Sequence, residues 1–266
     1  MRDLANKPSI LHKAALMLKR EFEYFFGAVR FFTRLPVPAW VGHSSDALDR
    51  ATRYFPAVGL LVGAIAALVF AATSVFWPKT LAVLASMAAT IQLTGAFHED
   101  GWSDMVDGFG GGWDKAQILG IMKDSRIGSF GAVALVVLLL AKFCALIELE
   151  ASIIPLALLA GHTLSRFCAA TLLRGLDYVR DEGKAKPLAI RIGWGELSLA
   201  GATALLALAW LPLTQALVGC LFAAGATLWL ARQFKRQIGG YTGDCLGATQ
   251  QLSEVAFYCG LLCTFS

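Results

Sequence analysis

The stretch that decides the fold is a polar segment that begins with Phe97-His-Glu-Asp-Gly-Trp-Ser-Asp-Met-Val-Asp-Gly108 and ends with Ile121-Met-Lys-Asp-Ser-Arg-Ile-Gly-Ser-Phe-Gly131. It separates two apolar runs, residues 80–97 and 127–147. Each run is close to the roughly 20 residues that an apolar helix needs to cross a bilayer. The pattern therefore predicts a membrane protein with a polar, acid-rich segment between two spans.

Composition extends this prediction to the whole chain. Hydrophobic residues make up 57% of the 266 and charged residues 16%, with a mean hydropathy of +0.61. Soluble domains of this length do not combine these values, so we expect an all-α, polytopic integral membrane protein. Further apolar runs bring the expected number of transmembrane helices to six or seven: residues 55–77, 151–173, 197–231 and 246–265. Pro212, near the middle of residues 197–231, predicts a tight hairpin of two short spans there.

The N-terminal segment, residues 10–35, mixes Lys, Arg and Glu with Leu and Phe. This pattern is typical of an amphipathic helix that lies in the membrane interface, so we do not count it as a span. We expect one transmembrane domain over residues 1–266. Residues 1–54 form its cytoplasmic or interfacial part and residues 55–266 its membrane part.

Charged residues indicate the orientation and the kind of partner. Of the 23 Lys and Arg residues, 20 fall in segments that seven crossings place on one side, which the positive-inside rule makes cytoplasmic. The net charge of +4 suits anionic lipid head groups or a phosphorylated small molecule, and we expect no nucleic-acid partner. The six cysteines form no CxxC pair, so no zinc site or disulfide is predicted.

Acidic residues are concentrated at the start of the polar segment. Asp100, Asp104 and Asp107 have the spacing i, i+4, i+7, which places them on one face of a helix, where they repel one another unless a cation lies between them. Lys123-Asp-Ser-Arg126 follows. Carboxylates that hold Mg²⁺, beside cations that can bind phosphate oxygens, are typical of phosphoryl transfer. The alternative is a solvated loop whose acids cap the following helix.

A second polar segment, Gly239-Gly-Tyr-Thr-Gly-Asp-Cys-Leu-Gly-Ala248, precedes the last apolar run. Its glycines let backbone N–H groups approach an anion or a metal-bound oxygen, and Asp244 could complete the metal site. A plain glycine turn before a helix, with Asp244 placed favourably against the helix dipole, would explain the same residues.

Ionisable residues also occur inside the apolar runs, where a charge is costly unless it meets a partner, a cavity or a substrate. Arg166, with His162 one turn earlier, either lines a phosphate pocket or pairs with Glu254 between helices. Lys142 is expected to extend its ammonium group towards an interface.

Five stretches of the chain carry a family resemblance: Phe32-Thr-Arg-Leu-Pro-Val-Pro38, Phe55-Pro-Ala-Val-Gly59, His98-Glu-Asp-Gly-Trp-Ser-Asp-Met-Val-Asp-Gly108, Ile121-Met-Lys-Asp-Ser-Arg-Ile-Gly128 and Gly240-Tyr-Thr-Gly-Asp-Cys-Leu-Gly-Ala248. Together they resemble the cobalamin synthase family, membrane enzymes also called adenosylcobinamide-GDP ribazoletransferases. The stretches occur in the family's order and cover nearly the whole chain. The chain departs from the family in a longer N-terminal extension and in the bulky Trp102.

The resemblance implies a reaction between two small-molecule substrates. The ribose 3′-hydroxyl of α-ribazole, or of its 5′-phosphate, attacks the aminopropanol-side phosphorus of adenosylcobinamide-GDP, which yields adenosylcobalamin, or its 5′-phosphate, and GMP. Mg²⁺ is the implied cofactor. The implied location is the bacterial cytoplasmic (inner) membrane, with several spans and the active site facing the cytoplasm. A homo-oligomer, or an association with other enzymes of the corrinoid pathway, is left open.

Residue roles follow from the resemblance and the two polar segments. We expect metal ligands among Glu99, Asp100, Asp104, Asp107 and Asp244. Lys123 and Arg126 would offset charge that develops towards GMP, while one carboxylate or a histidine accepts the hydroxyl proton. The catalytic group is expected to comprise Asp104, Lys123, Asp124, Arg126 and His98. Substrate binding is expected of Ser125, Arg166, Arg180, Thr242 and Gly243.

Three other functions would use similar residues. A CDP-alcohol phosphotransferase would have a second Asp pair and an Ala-Arg after the Asp-Gly, where this chain has Trp102-Ser103. A polyprenyl transferase would have paired DxxxD motifs on separate helices. A cation transporter would have acids near the bilayer midplane, which only Glu254 approaches.

Overall fold

Helices form the fold, as the composition predicts. The structure is a computed structural model that describes residues 10–42, 50–180 and 191–263, with side chains from residue 14 onward. Some of the basic residues counted above, Lys184 and Lys186, therefore lie outside the described residues. Ten α-helices occur in the described ranges: α1 (Ile10–Phe32), α2 (Phe55–Thr73), α3 (Lys79–Thr94), α4 (Phe97–Gly111), α5 (Lys115–Ile121), α6 (Ser129–Glu148), α7 (Ile154–Gly175), α8 (Trp194–Leu208), α9 (Leu213–Gln237) and α10 (Gly243–Leu261).

Four of these helices are long and apolar enough to cross a membrane: α2 with the 3₁₀ turn before it, α6, α7 and α9. The pair α3 and α4 passes the same test together, but it is bent by 85° at the break between its helices. Helix α8 has 15 residues and a length of about 22 Å, less than the roughly 30 Å of a hydrocarbon core. The described residues thus give four spans, or five with the bent pair, and the predicted count of six or seven is not confirmed.

Two glycines bring α2 and α7 into backbone contact. A Cβ on Gly59 would lie 2.2 Å from the carbonyl oxygen of His162, and a Cβ on Gly63 would lie 2.7 Å from that of Leu158. Glycines four residues apart present one smooth helix face, which lets membrane helices approach closely. This contact holds the two helices together along much of their length.

Helix α10 lies at the centre of the domain and contacts α4, α7 and α9. Its side chains are buried on nearly every side, including the polar Thr249, Gln250, Gln251 and Ser253. The helix is not among the four spans because these polar residues lower its hydropathy. They are tolerated because they face protein rather than lipid.

The break predicted near Pro212 is present. Helix α8 ends at Leu208 and α9 begins at Leu213, with Pro212 as its N-cap residue. Lys79 Nζ, in the first turn of α3, donates a hydrogen bond to the Leu149 carbonyl oxygen at 3.2 Å. The turns before α3 and after α6 therefore lie at one end of the bundle.

The N-terminal helix α1 is not a span candidate, in agreement with the prediction. Its second half packs on the membrane domain through buried Tyr24, Ala28 and Phe32. Glu21 contacts the chain just before α2, where its carboxylate accepts hydrogen bonds from Arg53 at 3.2 Å and from Tyr54 Oη at 2.6 Å. The first half leaves apolar side chains such as Leu16 and Met17 exposed.

Two consecutive left-handed residues, Gly95 with φ of 67° and Ala96 with φ of 57°, turn the chain between α3 and α4. Because of the 85° bend, α4 does not continue the direction of α3. It packs against α10 and α6, and we treat it as outside the spanning segments.

Candidate active site

The site is created where α4 and α10 approach each other. A Cβ on Gly101 would lie 3.0 Å from the Asp244 carbonyl oxygen, and one on Gly247 would lie 3.3 Å from the His98 carbonyl oxygen. Because both positions are glycine, the two backbones can come this close. Asp100 and Asp104, which flank Gly101 on α4, are thereby brought near the first turn of α10.

Arg180 is the basic residue at this junction. Its Nη2 lies 2.8 Å from Asp244 Oδ2. The chain that carries it is fixed to the start of α10 by two backbone hydrogen bonds: Val179 N donates to the Tyr241 carbonyl oxygen at 3.1 Å, and Tyr241 N donates to that of Asp177 at 2.9 Å. Position 240 accommodates this pairing only as glycine, because a Cβ there would lie 2.1 Å from the Asp177 carbonyl oxygen.

Asp100, Asp104 and Asp244 influence one another electrostatically. Burial, followed by the negative charges of Asp100 and Asp244, raises the pKa of Asp104 to about 7. Burial also raises the pKa of Asp244, against the opposing effect of the Arg180 guanidinium. Asp100 is exposed. The three acids, which we call the acidic cluster, therefore carry more negative charge than Arg180 alone can balance.

Thr242 and Gly243 begin α10 beside the acidic cluster. Thr242 is the N-cap residue, and its Oγ1 accepts a hydrogen bond from Cys245 N at 3.3 Å. The same hydroxyl donates to Asp244 Oδ2 at 3.3 Å. The predicted glycine turn before a helix is present, with Thr242 as its cap, and this cap also fixes the direction of the Asp244 side chain.

Asp107 and Glu99 are not placed with the acidic cluster. Asp107 accepts hydrogen bonds from Gly128 N at 2.7 Å and Gly131 N at 2.8 Å, so its carboxylate caps α6. Glu99 is buried and accepts a hydrogen bond from Gln251 Nε2 at 2.9 Å. The geometry gives no support to these two as metal ligands, because Asp107 is held by backbone N–H groups of α6 and Glu99 is buried against Gln251 of α10. No group of three or more His, Cys, Asp and Glu is already arranged around a metal position in the described ranges.

His98, a predicted proton acceptor, is buried away from the acidic cluster. Its ring stacks on Phe32, with the centroids 5.7 Å apart and an interplanar angle of 16°, and meets the edge of Phe97. It lines a small enclosed cavity together with Arg166, Gly243 and neighbouring aromatic rings. The arrangement favours a packing role for this histidine over proton transfer.

The loop before α6 carries Lys123, Asp124, Ser125 and Arg126. Asp124 and Arg126 pair with each other at the surface, with 2.6 Å between Arg126 Nη2 and Asp124 Oδ2. This pairing holds the pKa of Asp124 down at about 2. Lys123 and Ser125 are exposed. The predicted catalytic cations on this loop are thus accessible to a solvated substrate, but they are not in contact with the acidic cluster.

A buried polar network joins α6, α7 and α10 below the site. Lys142 Nζ lies 2.6 Å from Glu254 Oε1, and His162 Nδ1 lies 3.2 Å from Oε2 of the same carboxylate. The expectation that Lys142 extends to an interface was wrong, because Glu254 is within reach and neutralises it inside the protein. The alternative pairing of Arg166 with Glu254 is also not the observed one. Arg166 instead donates to the His162 carbonyl oxygen at 3.0 Å.

The sequence interpretation missed the residues that complete this network and those that align the site. Gln250 donates to Glu254 and to Ser165 Oγ, and Tyr258 Oη donates to Glu254 at 2.9 Å. Glu254 and Tyr258 follow Gln250 by four and eight residues, a spacing that places the three side chains on one face of α10 and could have indicated the network. The spacing of Gly243 and Gly247 was a similar signal of close helix approach.

Comparison with known proteins decides the family. A sequence model described as cobalamin-5-phosphate synthase matches residues 24–262. The chain belongs to the cobalamin-5-phosphate synthase family. No solved structure matches it.

Curated relatives of this family member are similar over most of their length. A protein of Shewanella frigidimarina (strain NCIMB 400) is 48% identical over 254 residues, which cover 91% of this chain and 95% of the relative. A protein of Shewanella woodyi (strain ATCC 51908 / MS32) is 49% identical over 255 residues, covering 92% and 98%. Both are named adenosylcobinamide-GDP ribazoletransferase. Family membership sets aside the CDP-alcohol, polyprenyl and transporter alternatives.

Proposed function

We propose that this cobalamin-5-phosphate synthase family member is an adenosylcobinamide-GDP ribazoletransferase whose reaction takes place at the acidic cluster of Asp100, Asp104 and Asp244. The ribose 3′-oxygen of α-ribazole, or of its 5′-phosphate, forms a bond to the aminopropanol-side phosphorus of adenosylcobinamide-GDP. The bond from that phosphorus to the bridging oxygen breaks, GMP leaves, and the hydroxyl proton passes to a base. The observation that carries this assignment of the site is the contact of α4 with α10, which brings the three acids together with Arg180.

Magnesium fits the chemistry of the acidic cluster. Mg²⁺ prefers carboxylate oxygens and keeps several waters, so a partly exposed set of three acids suits it. The raised pKa of Asp104, which burial causes first and the negative charges of Asp100 and Asp244 second, is consistent with a cluster that has too little counter-charge. Asp100 and Asp244, with Asp104 nearby, would hold the ion. When bound, Mg²⁺ would neutralise negative charge on the diphosphate oxygens.

The side chains of the cluster have distinct parts in the proposal. Asp104 is the group we assign as proton acceptor, because its pKa of about 7 suits a general base at neutral pH and it lies at the site, unlike His98. Arg180 binds the diphosphate or the leaving phosphate when the substrate draws it away from Asp244. Backbone N–H groups at the start of α10, beside Gly243, favour the same anion.

We further place the protein in the cytoplasmic (inner) membrane of a bacterium, with the acidic cluster towards the cytoplasm. The distribution of basic residues supports this orientation, because 20 of the 23 lie in segments predicted on the side of the cluster. The exposed apolar faces of the outer helices suit lipid, and they would equally allow contact with a second copy.

The experiment that tests the proposal measures GMP release from adenosylcobinamide-GDP and α-ribazole 5′-phosphate by the purified protein, with Mg²⁺ or with EDTA. We expect release to need both substrates and Mg²⁺, and to fall at least about a hundredfold in Asp104→Asn. Asp114→Asn is the matched control, because Asp114 caps α5 at the surface and Asn is an equally good cap. Full activity of Asp104→Asn would show that the reaction takes place elsewhere.

A further inference from the structure

An apolar groove with a volume of about 570 Å³ runs along the outside of the bundle between α6 and α10. On α6 its lining residues recur at the spacing i, i+3, i+4, i+7, i+8, i+11, which is one continuous stripe of a helix. Leu252 and Val255 of α10 form the opposite wall, and Trp102 of α4 closes one end beside Ser129. Nothing in the reaction described above uses this groove.

The groove opens to the region of the lipid. Helix α6 is one of the four spans, and its groove residues Phe130, Val133 and Val137 are 55%, 64% and 59% exposed. From Ser129 to Ala141 the groove follows α6 for about 18 Å. One leaflet contributes about half of a hydrocarbon core of roughly 30 Å. The groove therefore begins at the membrane-face end of α6 and is about one leaflet deep.

Trp102 gives the groove a polar end. Its indole Nε1 is buried and has no hydrogen-bond acceptor in the part of the chain that the structure describes. A buried donor without an acceptor costs free energy, so the position favours a ligand that brings an oxygen atom. The level of Ser129, at the start of a span, is where the ester and phosphate oxygens of a lipid lie and where tryptophan is commonly found. Arg126, 87% exposed in its side chain, is three residues before this point.

From these observations we infer that the groove binds one acyl chain of a glycerophospholipid, and that an ester or phosphate oxygen of this lipid accepts a hydrogen bond from Trp102 Nε1. A helix of a second copy fits less well, because within the hydrocarbon its backbone carbonyl groups are already bonded within the helix. Trp102 lies on α4 between Asp100 and Asp104, so the bound lipid also holds the acidic helix in position. This inference concerns lipid binding and does not depend on the proposed function.

Native mass spectrometry of the detergent-purified full chain tests the inference. Ala134→Trp fills the groove, whereas Val136→Trp adds the same side chain on an exposed part of α6 outside the groove. We expect one retained phospholipid per chain in the wild type and in Val136→Trp, and at least about a fivefold lower lipid-bound fraction in Ala134→Trp. Trp102→Phe, which keeps the ring and removes the donor, should lose lipid at lower collision energy than the wild type.

Three results would overturn the inference: a wild-type chain without lipid, equal lipid retention by the two tryptophan variants, or a dimer that Ala134→Trp alone abolishes. The last result would assign the groove to a second copy. Thermal unfolding of each variant in the same detergent shows whether it is folded. If Ala134→Trp does not fold, Trp102→Phe is compared with the wild type instead. Unchanged lipid retention in Trp102→Phe would contradict the proposed hydrogen bond and overturn the inference.

Discussion

Arg180 Nη2 lies 2.8 Å from Asp244 Oδ2, and this ion pair joins the chain that follows α7 to the first turn of α10. Both side chains are partly exposed, at 18% and 21%. The Nη2 atom has no well-aligned hydrogen bond in the described structure, so the contact is mainly one of charge. A substrate anion could therefore replace Asp244 as the partner of Arg180, and a cation could replace Arg180 as the partner of Asp244.

The first prediction concerns this pair. Arg180→Ala should lower kcat/KM for GMP release by about 10- to 100-fold, because the substrate diphosphate loses a cationic partner. The melting temperature should also fall, because the pair is mostly buried and Asp244 loses the guanidinium group that compensates its buried charge. Arg236→Ala removes an equal charge from the exposed last turn of α9 and should be without effect on the rate. Equal rates for the two variants would exclude Arg180 from the site.

The second prediction separates Asp104 from Asp107, which lie one turn apart on α4. Asp107→Ala should destabilise the protein by about 2 kcal/mol, because it removes the cap of α6 and leaves the Gly131 N–H buried without a partner. Asp104→Ala should not destabilise it, because it removes a repelled charge, yet it should abolish GMP release. Thermal unfolding and turnover of both variants check this. A stable, inactive Asp107→Ala would instead argue for a catalytic Asp107.

The third prediction tests the close approach of α4 and α10. Gly101→Ala places a Cβ about 3.0 Å from the Asp244 carbonyl oxygen, so the helices must separate slightly. Since displacements of about 1 Å in an active site can cost as much as a hundredfold, we expect at least a tenfold lower kcat. Gly225→Ala on α9 is the control, because a Cβ there meets open space. Unchanged kcat in Gly101→Ala would mean that the site tolerates the shift.

The fourth prediction is a pH dependence. With the pKa of Asp104 raised to about 7, the proton acceptor is mostly protonated at pH 6 and mostly ionised at pH 8. The rate should therefore rise with pH through the pKa of Asp104, and bound Mg²⁺ should shift this rise to lower pH because it neutralises Asp100 and Asp244. The effect on stability has the opposite sign, because the folded state binds the Asp104 proton more tightly than the unfolded chain does. The contribution of Asp104 to the free energy of unfolding is therefore fully present below the unfolded pKa and is lost as the pH rises through about 7. A pH-independent rate would contradict the assignment of Asp104.

The fifth prediction concerns the buried pair of Lys142 and Glu254. Glu254→Gln leaves the ammonium group of Lys142 buried without its counter-charge, which should destabilise the protein by about 3–5 kcal/mol. Adding Lys142→Met removes that charge and should restore part of the loss. Unfolding in detergent of the wild type, both single variants and the double variant measures the coupling. Additive effects would show that the pair does not interact energetically.

Much of the fold could be predicted because apolar run length is a strong signal. The runs that became α2, α6 and α7, and the break before Pro212, were predicted correctly. The central position of α10 was not predicted, because the hydropathy of a segment does not show whether lipid or protein surrounds the helix it forms. The family resemblance and its enzymatic activity are confirmed, whereas the Mg²⁺ requirement and the residue roles stay predictions.

The candidate site shows the same limit. Helical spacing correctly placed Asp100 and Asp104 on one face, and it placed Asp107 there as well. The face is contacted by different partners along its length, however: α10 lies against the first part of α4, and α6 lies against the part that contains Asp107. Spacing alone gives the direction of a side chain but not the neighbour it meets, so the separation of these acids could only come from the tertiary structure.

The contact between Gly101 and Gly247 joins parts of the chain that a ribosome makes far apart in time. Asp100 and Asp104 are made in the first half of the 266 residues, whereas Asp244 is made with α10. A nascent or truncated chain that ends before α10 therefore contains most of the membrane domain but only part of the acidic cluster. If the reaction takes place at the acidic cluster, as proposed, competence arises only once α10 has been made, and products that stop before α10 would occupy the bilayer without consuming substrate.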